Sequence, residues 1–376
     1  MTQRSDFLII GAGIAAASAG YWLSQRGSVT LLERETQPGY HSTGRSAALF
    51  IESYGTPQVR ALTMASRAFF LKPPPGFAEH PLVSARGAMM VAAPGQQEAL
   101  AEQWDILQKV TPLARRLTAH EVLEMVPVFR PEKTLGGVYE PDAYDMDVHA
   151  IHQGFLRGLK LNGGQVICQA EVNALERSGA DWLATTTNGQ RYQAGIVLNA
   201  AGAWADEIGK LAKAQPLGLE PRRRSAMIFR PPPETNIAKW PMAIGVTEEW
   251  YFKPDAGMLL GSPANADPVT PQDIQPEDLD IALAIHRIQE MTTLEIRRPT
   301  RTWAGLRSFV TDGDLVGGFD SQVPHFFWVA AQGGYGIQTS PAMGQACAAL
   351  VCGLALPESL QDFGLNAEML SPARLI

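Results

Sequence analysis

The sequence predicts an α/β protein with two domains, one built on a parallel sheet wrapped by helices and one on a mixed sheet. Three observations support this prediction. A strand, a glycine-rich turn, a helix and a second strand follow each other between residues 6 and 33. A buried strand followed by a glycine-rich turn and a helix occurs again from residue 326 to residue 341. The middle of the chain alternates short strands with proline-rich loops. An α/β core interrupted by insertions fits this order.

The N-terminal unit opens with Phe7–Ile10, which is apolar on every face and therefore indicates a buried parallel strand. Gly11-Ala-Gly13 follows at once. The first glycine permits the tight turn, the second lets a pyrophosphate approach the backbone, and the small Ala16 allows the helix to pack on the strand. These features predict a Rossmann-type unit.

The rest of this unit supplies its ribose contact. A helix is predicted from Ile14 to about Arg26, with Gly27 as its C-cap, and Val29–Leu32 forms the second strand. Glu33 stands at the end of that strand, about twenty residues after the first glycine, where an acidic side chain binds a ribose hydroxyl. The unit is predicted to bind an adenine dinucleotide. The acidic residue argues against NADP and leaves NAD and FAD open.

The composition describes an ordinary globular chain. Of its 376 residues 45% are hydrophobic and 18% charged, and the net charge is −7, so neither nucleic acid nor an anionic membrane surface is expected as a partner. No apolar run reaches the length of a membrane helix, and the first strand begins too early for a signal peptide. We expect a cytoplasmic protein. The three cysteines and seven histidines show no metal-ligand spacing, so no metal is expected.

A loop rich in small and hydroxyl residues, 39–48, comes next and predicts contact with a phosphate or a polar ring edge. The elements expected after it are a helix over 55–71, a strand pattern over 83–91, helices over 96–110 and 119–125, a strand over 136–140, a helix capped by Asp147 that runs to Leu161, strands over 165–168 and 194–199, and a helix over 205–213.

The sequence pattern changes between residues 216 and 299, where short strands alternate with proline-rich loops. One amphipathic helix is predicted from Asp278 to Leu294, with Leu279, Ala282, Leu283, Ile285 and Ile288 on its buried side. Residues 1–80, 146–215 and 303–376 are assigned to the nucleotide domain, and residues 81–145 and 216–302 to the second domain.

The C-terminal part decides between the two cofactors. Phe326–Ala331 indicates a buried strand, and the glycine-rich stretch 332–341 leads into a helix with Pro341 in its first turn. A helix N-terminus stabilises negative charge, which suits the pyrimidine edge of a reduced flavin. An NAD fold does not require this second site, whereas a flavin has two ends to hold. FAD is therefore preferred.

Together the motifs resemble those of the D-amino acid oxidase superfamily. They are G-A-G-I-A-A, H-S-T-G-R-S-A-A, N-A-A-G-A-W, W-A-G-L-R-S-F and Q-G-G-Y-G-I-Q-T-S, and within the superfamily the chain is most similar to bacterial D-arginine dehydrogenases. The resemblance implies non-covalent FAD, hydride transfer from the Cα of a D-amino acid to flavin N5, and hydrolysis of the imino acid to a 2-oxo acid. Sarcosine oxidases attach their flavin through a cysteine near Arg307, and none of the three cysteines here replaces it.

The resemblance also implies roles for individual residues. Arg224 and Arg307 correspond to the carboxylate clamp, Tyr54 and Tyr251 to phenols over the substrate, and the Gly334 backbone to a neighbour of the substrate amine. The residues expected to contact the cofactor are Gly11, Gly13, Ile14, Ala15, Glu33, Arg34, His41, Ser42, Thr43, Gly44, Arg45, Ser46, Ala47, Val172, Gly202, Arg307, Gly333, Gly334, Tyr335, Gly336 and Ile337.

Departures from the D-arginine dehydrogenases affect specificity. Leu49 and Ile51 stand where those enzymes have a histidine and a threonine, and Ala88 replaces the acidic residue that receives the substrate guanidinium. Because that charged hydrogen bond is lost, D-arginine and D-lysine are expected to be poor substrates and an apolar side chain is expected to be accepted. Met242 and Gln338 complete the predicted specificity residues.

Two other functions stay open from the sequence. One keeps the flavin but oxidises a secondary amine, an N-alkyl amino acid or a 2-hydroxy acid, which the altered residues 46–54 and Ala88 would allow. The other is a non-catalytic flavin protein, against which the retained Arg224, Tyr251 and Arg307 argue. The electron acceptor is not indicated by the sequence.

Overall fold

The computed structural model describes residues 2–375. Its strands are β1 (Thr2–Ile10), β2 (Val29–Leu32), β3 (Leu49–Phe50), β4 (Val83–Ala85), β5 (Ala88–Ala92), β6 (Arg115–Thr118), β7 (Gly136–Glu140), β8 (Tyr144–Met146), β9 (Gln165–Ile167), β10 (Val172–Ser178), β11 (Asp181–Thr186), β12 (Arg191–Asn199), β13 (Glu220–Phe229), β14 (Met242–Gly245), β15 (Tyr251–Asp255), β16 (Met258–Ser262), β17 (Asp267–Pro268), β18 (Arg301–Phe309), β19 (Val316–Phe319) and β20 (Phe326–Ala330).

Residues 2–375 also form ten α-helices, the last three of which follow β20. They are α1 (Ile14–Leu23), α2 (Pro57–Leu71), α3 (Gln97–Val110), α4 (Ala119–Met125), α5 (Val148–Leu161), α6 (Ala205–Leu211), α7 (Asp278–Met291), α8 (Ser340–Val351), α9 (Glu358–Gln361) and α10 (Ala367–Leu370). Over residues 2–375, no helix combines the length and the apolar character needed to cross a bilayer.

The first sheet carries the nucleotide unit. Its strands follow the order β10-β11-β12-β1-β2-β9, with β20 beside β12 and β19 beside β20, and β1 runs parallel to both β2 and β12. Phe7 and Ile9 enter one buried apolar cluster, whereas Leu8 and Ile10 enter another on the opposite face. Burial on both faces explains why this strand is apolar without alternation.

The second sheet has nine strands in the order β17-β13-β16-β15-β14-β5-β7-β6, with β18 also paired to β13. It mixes parallel and antiparallel neighbours: β5 runs parallel to β14 but antiparallel to β7. A third, small sheet joins β3, β8 and β4. Leu49 of β3 and the following Ile51 pack in one buried apolar cluster with Ala88 and Met90 of β5 and with Met242 and Ile244 of β14.

The first predicted helix and the strand pattern over 83–91 differ from the structure. Helix α1 ends at Leu23 with Ser24 as its C-cap, not near Gly27, which instead closes a following turn by donating its N–H to the Leu23 carbonyl over 3.1 Å. The strand pattern over 83–91 is two strands in different sheets. Gly87 separates them with φ +76°, and a Cβ there would lie 2.4 Å from the Tyr139 hydroxyl.

The buried face of α7 also differs from the prediction. Its buried residues are Asp280, Ala284, Ile288 and Met291, whereas Leu279 is 74% exposed. Asp280 turns inward because its carboxylate accepts a hydrogen bond from the Ser225 hydroxyl at 2.7 Å and pairs with Arg223 at 2.8 Å. Polar partners on β13 thus set a rotation that hydrophobic periodicity alone does not predict.

Strand β18 crosses the predicted domain boundary at residue 303. It pairs with β13 along its whole length, from Arg301 opposite Ile228 to Phe309 opposite Glu220, and so belongs to the second sheet. The sequence prediction also lacked β6 and β19. Both are edge strands of four residues, and the sequence of β6, Arg-Arg-Leu-Thr, is too polar to indicate a strand.

Candidate active site

Two adjoining cavities contain most of the predicted site residues. The glycine-loop cavity, about 410 Å³, is lined by Gly11–Gly13, Glu33, Arg34, His41, Val172, Gly202 and their neighbours. The arginine cavity, about 190 Å³, is lined by Ile14, Arg45–Leu49, Tyr54, Arg224, Tyr251, Arg307, Gly333, Gly334 and others. Ser42 and Thr43 line both cavities. The two spaces therefore form one path past this pair of hydroxyl residues.

The glycine turn brings the backbone close to the first cavity. Gly11 has φ +104°, and a Cβ there would lie 2.5 Å from the Ala200 carbonyl oxygen, so only glycine fits. The Ala12 N–H donates to the Glu33 carboxylate over 2.8 Å, and the Ile14 N–H donates to the Thr43 hydroxyl over 3.0 Å. Glu33 and Thr43 thus hold the start of α1, whose N-terminus favours a negatively charged group.

The outer wall of the glycine-loop cavity contains an unpartnered polar atom. The Arg34 guanidinium lies 4.5 Å from the centre of the Trp204 ring, and His41 Nε2 lies 2.9 Å from the Glu35 carboxylate. His41 Nδ1 is buried and has no hydrogen-bond partner within residues 2–375. A buried polar atom without a partner points to a ligand or water in the adjacent space.

Two guanidinium groups dominate the arginine cavity. Arg224 on β13 pairs with Gly305 on β18, and Arg307 pairs with Arg222, so Arg224 and Arg307 are diagonal neighbours on one face of the sheet. Arg224 Nε donates to the Asn265 carbonyl over 2.6 Å. Burial and the neighbouring Arg307 charge lower the pKa of Arg224, although a guanidinium stays protonated at neutral pH.

Arg307 lies in a cage of aromatic rings. Its guanidinium is 5.4 Å from the Phe309 ring centre and 5.6 Å from that of Tyr335, and it donates to the Tyr54 hydroxyl over 3.2 Å. Arg307 Nε is buried with no hydrogen-bond partner in the described chain. Neither Arg224 nor Arg307 forms an ion pair with a carboxylate of residues 2–375. The pair therefore presents positive charge to an anion in the cavity.

Arg222 and Arg223, which precede Arg224 in the chain, have structural partners. Arg222 is partly exposed, lies 5.1 Å from the Phe309 ring centre and pairs with Glu220. Arg223 points to the opposite face, where it pairs with Asp280 and Glu277. Because side chains alternate along a strand, Arg223 and Arg224 lie on opposite faces of β13. Of the three consecutive arginines, Arg224 lines the cavity beside Arg307.

The sequence reasoning missed one charged residue of this cavity, Glu248. It lies in the turn between β14 and β15 with φ +58°, and its carboxylate accepts a hydrogen bond from the Tyr54 hydroxyl over 3.2 Å. Tyr54 also packs edge to face on Tyr335, with 5.2 Å between ring centres. The available signal was its position three residues before Tyr251, which lines the same cavity.

The opposite side of the arginine cavity is apolar. Leu49, Ile51, Met242 and Ile244 line it, together with Gln338. The Gln338 amide donates to the Thr63 hydroxyl over 2.9 Å and lies against the Ile51 backbone, so its polar atoms are engaged. Four of the five predicted specificity residues, Leu49, Ile51, Met242 and Gln338, therefore line the cavity.

The fifth specificity residue, Ala88, lies elsewhere. It lines a small void of about 10 Å³ behind the wall, which we call the rear void, together with Ser53, Met90, Val138, Glu140 and others. Ile51 and Ile244 line both spaces and stand between them. The sequence placed Ala88 in the substrate pocket, but the structure places it one layer behind.

Most of the remaining predicted cofactor residues lie along this path, and two do not. Gly333, Gly336 and Ile337 line the arginine cavity, and Tyr335 packs beside it on Tyr54. Gly334 lies directly against Arg307, because a Cβ at Gly334 would be 2.0 Å from that guanidinium. Gly44 lines a neighbouring groove on the other side of loop 44–48, and Ala15, in the first turn of α1, lines neither cavity.

Comparison with known proteins gives one family model and several related sequences. A family model described as DAO, FAD dependent oxidoreductase, matches residues 6–350. FAD-dependent oxidoreductase domain-containing protein 1 of Bos taurus is 24% identical over 409 residues, which covers 93% of this chain and 81% of that protein. Glycine oxidase of Geobacillus kaustophilus is 24% identical over 365 residues, or 93% of this chain and 94% of that one.

Solved structures confirm the predicted fold class. The crystal structure of the Geobacillus glycine oxidase superposes with a TM-score of 0.81 at 21% identity and covers 94% of this chain and 96% of its own. Dithionite-reduced L-α-glycerophosphate oxidase from Mycoplasma pneumoniae, with FAD bound, superposes with a TM-score of 0.84 at 19% identity, covering 93% and 95%.

The two cavities fit FAD, the cofactor named by the family model. Glu33, at the end of β2, would hold the ribose, and the N-terminus of α1 would hold the pyrophosphate beside Ser42 and Thr43. The turn 332–337 would face the ring system in the arginine cavity. The orphaned His41 Nδ1 and the two adjoining cavities are consistent with a long ligand that has two ends. None of the three free cysteines lines either cavity.

Proposed function

The chain belongs to the family of FAD-dependent oxidoreductases, and we propose that it oxidises a D-amino acid with an apolar side chain to the imino acid, which water hydrolyses to a 2-oxo acid. The observation that carries this proposal is the pair Arg224 and Arg307, two cavity guanidiniums without a carboxylate partner in residues 2–375, opposite an apolar wall. The D configuration rests on the resemblance of the motifs to those of D-amino acid oxidases and D-arginine dehydrogenases.

The guanidinium pair supports a substrate carboxylate. Arginine binds a carboxylate through two parallel hydrogen bonds, and two such groups on one sheet face fix its orientation. Arg307 Nε is free to donate, because the hydrogen bond to Tyr54 uses a terminal nitrogen of the same guanidinium. A carboxylate held here would lie at a fixed distance from the Gly334 backbone, which packs against the Arg307 guanidinium.

The charge in the cavity supports a neutral amine. Arg224 and Arg307 contribute two positive charges and Glu248 one negative charge, while Arg45, which also lines the cavity, is paired with Asp273. One net positive charge is left for the substrate carboxylate to neutralise. An added ammonium group would again leave a positive charge in a partly dry space, which disfavours it. The neutral amine is the form that can release a hydride from Cα.

The apolar wall supports the choice of side chain. Leu49, Ile51, Met242 and Ile244 offer methyl and methylene groups. The carboxyl group of Glu140 in the rear void is already hydrogen-bonded, and that of Glu248 accepts from Tyr54 and interacts with the Arg224 charge. A cationic side chain that enters this region would lose its hydration without a free carboxylate partner. D-Arginine and D-lysine should therefore react poorly.

The chemistry and the binding are divided between cofactor and chain. FAD supplies the hydride acceptor. The chain's own residues bind and orient: Arg224 and Arg307 hold the carboxylate, Tyr54 and Tyr251 border the substrate, and the wall receives the side chain. Effective catalysis then comes from orientation and electrostatics and not from a general base.

Anaerobic bleaching of the flavin tests the proposal without knowledge of the electron acceptor. The purified protein would be mixed with D- and L-leucine, D-arginine, N-methyl amino acids and 2-hydroxy acids. Rapid bleaching by D-leucine, with an apparent second-order rate constant of flavin reduction at least tenfold above that of D-arginine, is the expected result. Preference for D-arginine or for L-leucine would overturn the substrate class. Bleaching only by N-methyl amino acids or hydroxy acids would keep the flavin chemistry and replace the substrate.

A further inference from the structure

We propose that Glu140 is a positioning residue for the substrate pocket, because its buried carboxyl group holds residues 51–54 from behind. This inference deepens the proposed function and rests on it, since it concerns the same cavity. Glu140 touches neither cavity where substrate or cofactor would lie. It acts through Ile51 and Tyr54, which do line the arginine cavity.

The contacts of Glu140 are made to the backbone and side chain of one short segment. One carboxyl oxygen accepts the N–H of Glu52 over 2.8 Å, and the other lies 2.5 Å from the Ser53 hydroxyl oxygen. Glu140 is 2% exposed, and Glu52 and Ser53 are also buried. A buried carboxyl group that is hydrogen-bonded to two consecutive residues strongly restricts the position of both.

The segment that Glu140 holds carries one wall of the substrate pocket. Ile51 separates the arginine cavity from the rear void, and Tyr54 accepts a hydrogen bond from Arg307 while it donates to Glu248. Residues 51–54 follow the two-residue strand β3 and belong to no helix or strand, so hydrogen bonds such as those to Glu140 fix their position. A shift of the Tyr54 hydroxyl would release one side of the Arg307 guanidinium.

The position of Glu140 in the sheet explains why it is free to make these contacts. On β7 it pairs directly with Ala88 on β5, and antiparallel partners place their side chains on the same face of a sheet. The small methyl group of Ala88 leaves the space in which the Glu140 carboxyl group reaches Ser53. A larger residue at position 88 would compete for this space.

The ionisable groups around Glu140 are few. Glu52, on the segment itself, is the nearest, and it pairs with Arg67 of α2 at 2.8 Å. Asp142, just after β7, lies 3.7 Å from the same guanidinium. The residues of α3, β5 and β14 that face Glu140, namely Gln103, Leu107, Ala88, Met90 and Ile244, carry no charge.

These surroundings make the carboxyl group titrate near neutrality. Burial raises the pKa of Glu140 to about 7, against the lowering effect of the Ser53 and Glu52 hydrogen bonds and with a smaller rise from the Glu52 charge. Glu140 accepts hydrogen bonds from the Ser53 hydroxyl and the Glu52 N–H, and these favour its ionised form, but burial and the Glu52 charge outweigh them while the segment packs on Glu140. The ionised carboxylate is better solvated when the segment moves away. Ionisation should therefore loosen the segment, and ligand affinity should fall as the pH rises through 7.

Binding of benzoate to the FAD-loaded protein tests this directly, by the change in flavin absorbance between pH 5.5 and 8.5. Benzoate needs the guanidinium pair but no turnover. In the wild type its dissociation constant should rise above pH 7 by more than in a variant with Glu140→Gln, which copies the neutral form and should show a flatter profile. Glu140→Ala should weaken binding about tenfold at every pH. Glu124→Gln, an exposed carboxylate on α4 of the same domain, is the matched control and should follow the wild type.

These outcomes distinguish a positioning role of Glu140 from a purely structural role. Weak binding in Glu140→Ala that is restored by Glu140→Gln, together with loss of the pH dependence, supports the proposal. Equal pH profiles in wild type and Glu140→Gln would overturn it. If Glu140→Ala does not fold, Ser53→Ala removes one of the two contacts and should weaken benzoate binding without a change in FAD content; unchanged binding would count against the proposal. If no D-amino acid bleaches the flavin, the proposed function fails while the benzoate profiles still decide the role of Glu140.

Discussion

Arg307 donates one hydrogen bond to the Tyr54 hydroxyl over 3.2 Å, while its Nε has no partner in the described chain. One contact therefore fixes the guanidinium and leaves another donor for a ligand. Tyr54 passes this constraint on to Glu248, to which it donates over 3.2 Å. The pocket thus joins a residue of the second sheet, a residue of the loop after β3 and a residue of the β14–β15 turn into one hydrogen-bonded group.

Replacing Arg307 by lysine should weaken carboxylate binding about a hundredfold. Lysine keeps the charge but loses the planar fork that binds a carboxylate through two hydrogen bonds. Benzoate titration of the flavin spectrum measures the effect. Arg222→Lys is the matched control, because Arg222 is the direct partner of Arg307 across β13 and β18 but is partly exposed. A change of similar size in both variants would argue against a specific role for Arg307.

Gly334→Ala should impair the same clamp by a steric route. The added Cβ would lie 2.0 Å from the Arg307 guanidinium, so the side chain must move. We expect benzoate affinity and the rate of flavin reduction, both measured per bound FAD, to fall at least tenfold. Gly195→Ala is a suitable control, since its Cβ would meet only the Asp6 carbonyl oxygen at 3.6 Å. Wild-type benzoate affinity in Gly334→Ala would contradict the observed contact.

Glu33→Ala should weaken FAD binding by about ten- to a hundredfold. The carboxylate holds the Ala12 N–H at 2.8 Å and is the predicted partner of the ribose, so its loss removes a charged acceptor from a buried site. Titration of apoprotein with FAD, followed by fluorescence quenching, gives the dissociation constant. Glu176→Ala removes a carboxylate from an exposed position on β10 and should bind FAD like the wild type. Equal affinities would place the ribose elsewhere.

The sequence predicted the nucleotide unit well because its signals are local. The glycine turn, the acidic residue after β2 and the helix N-terminus after β20 can each be recognised from a short stretch of consecutive residues. Glu248 and Glu140 could not be found in this way, because their importance depends on contacts with Tyr54 and Ser53, which are 194 and 87 residues away in the chain. Ala88 shows the same limit. Its position on β5 was expected, but only the packing of Ile51 and Ile244 places it behind the pocket wall.

The stability of the protein should depend on pH through Glu140. Its pKa rises from an ordinary value of 4.5 to about 7 in the folded state, so the folded protein keeps a proton that the unfolded chain releases between these values. This group therefore favours folding most below pH 4.5, and the contribution declines as the pH rises to 7 and is constant above it. The decline is on the order of 3 kcal/mol. Glu140→Gln does not titrate at this position. Its free energy of unfolding minus that of the wild type should therefore increase from pH 5 to 7 and stay constant from pH 7 to 8. Urea unfolding at each pH measures this difference, and one that stayed constant from pH 5 to 8 would show that Glu140 is not protonated in the folded protein.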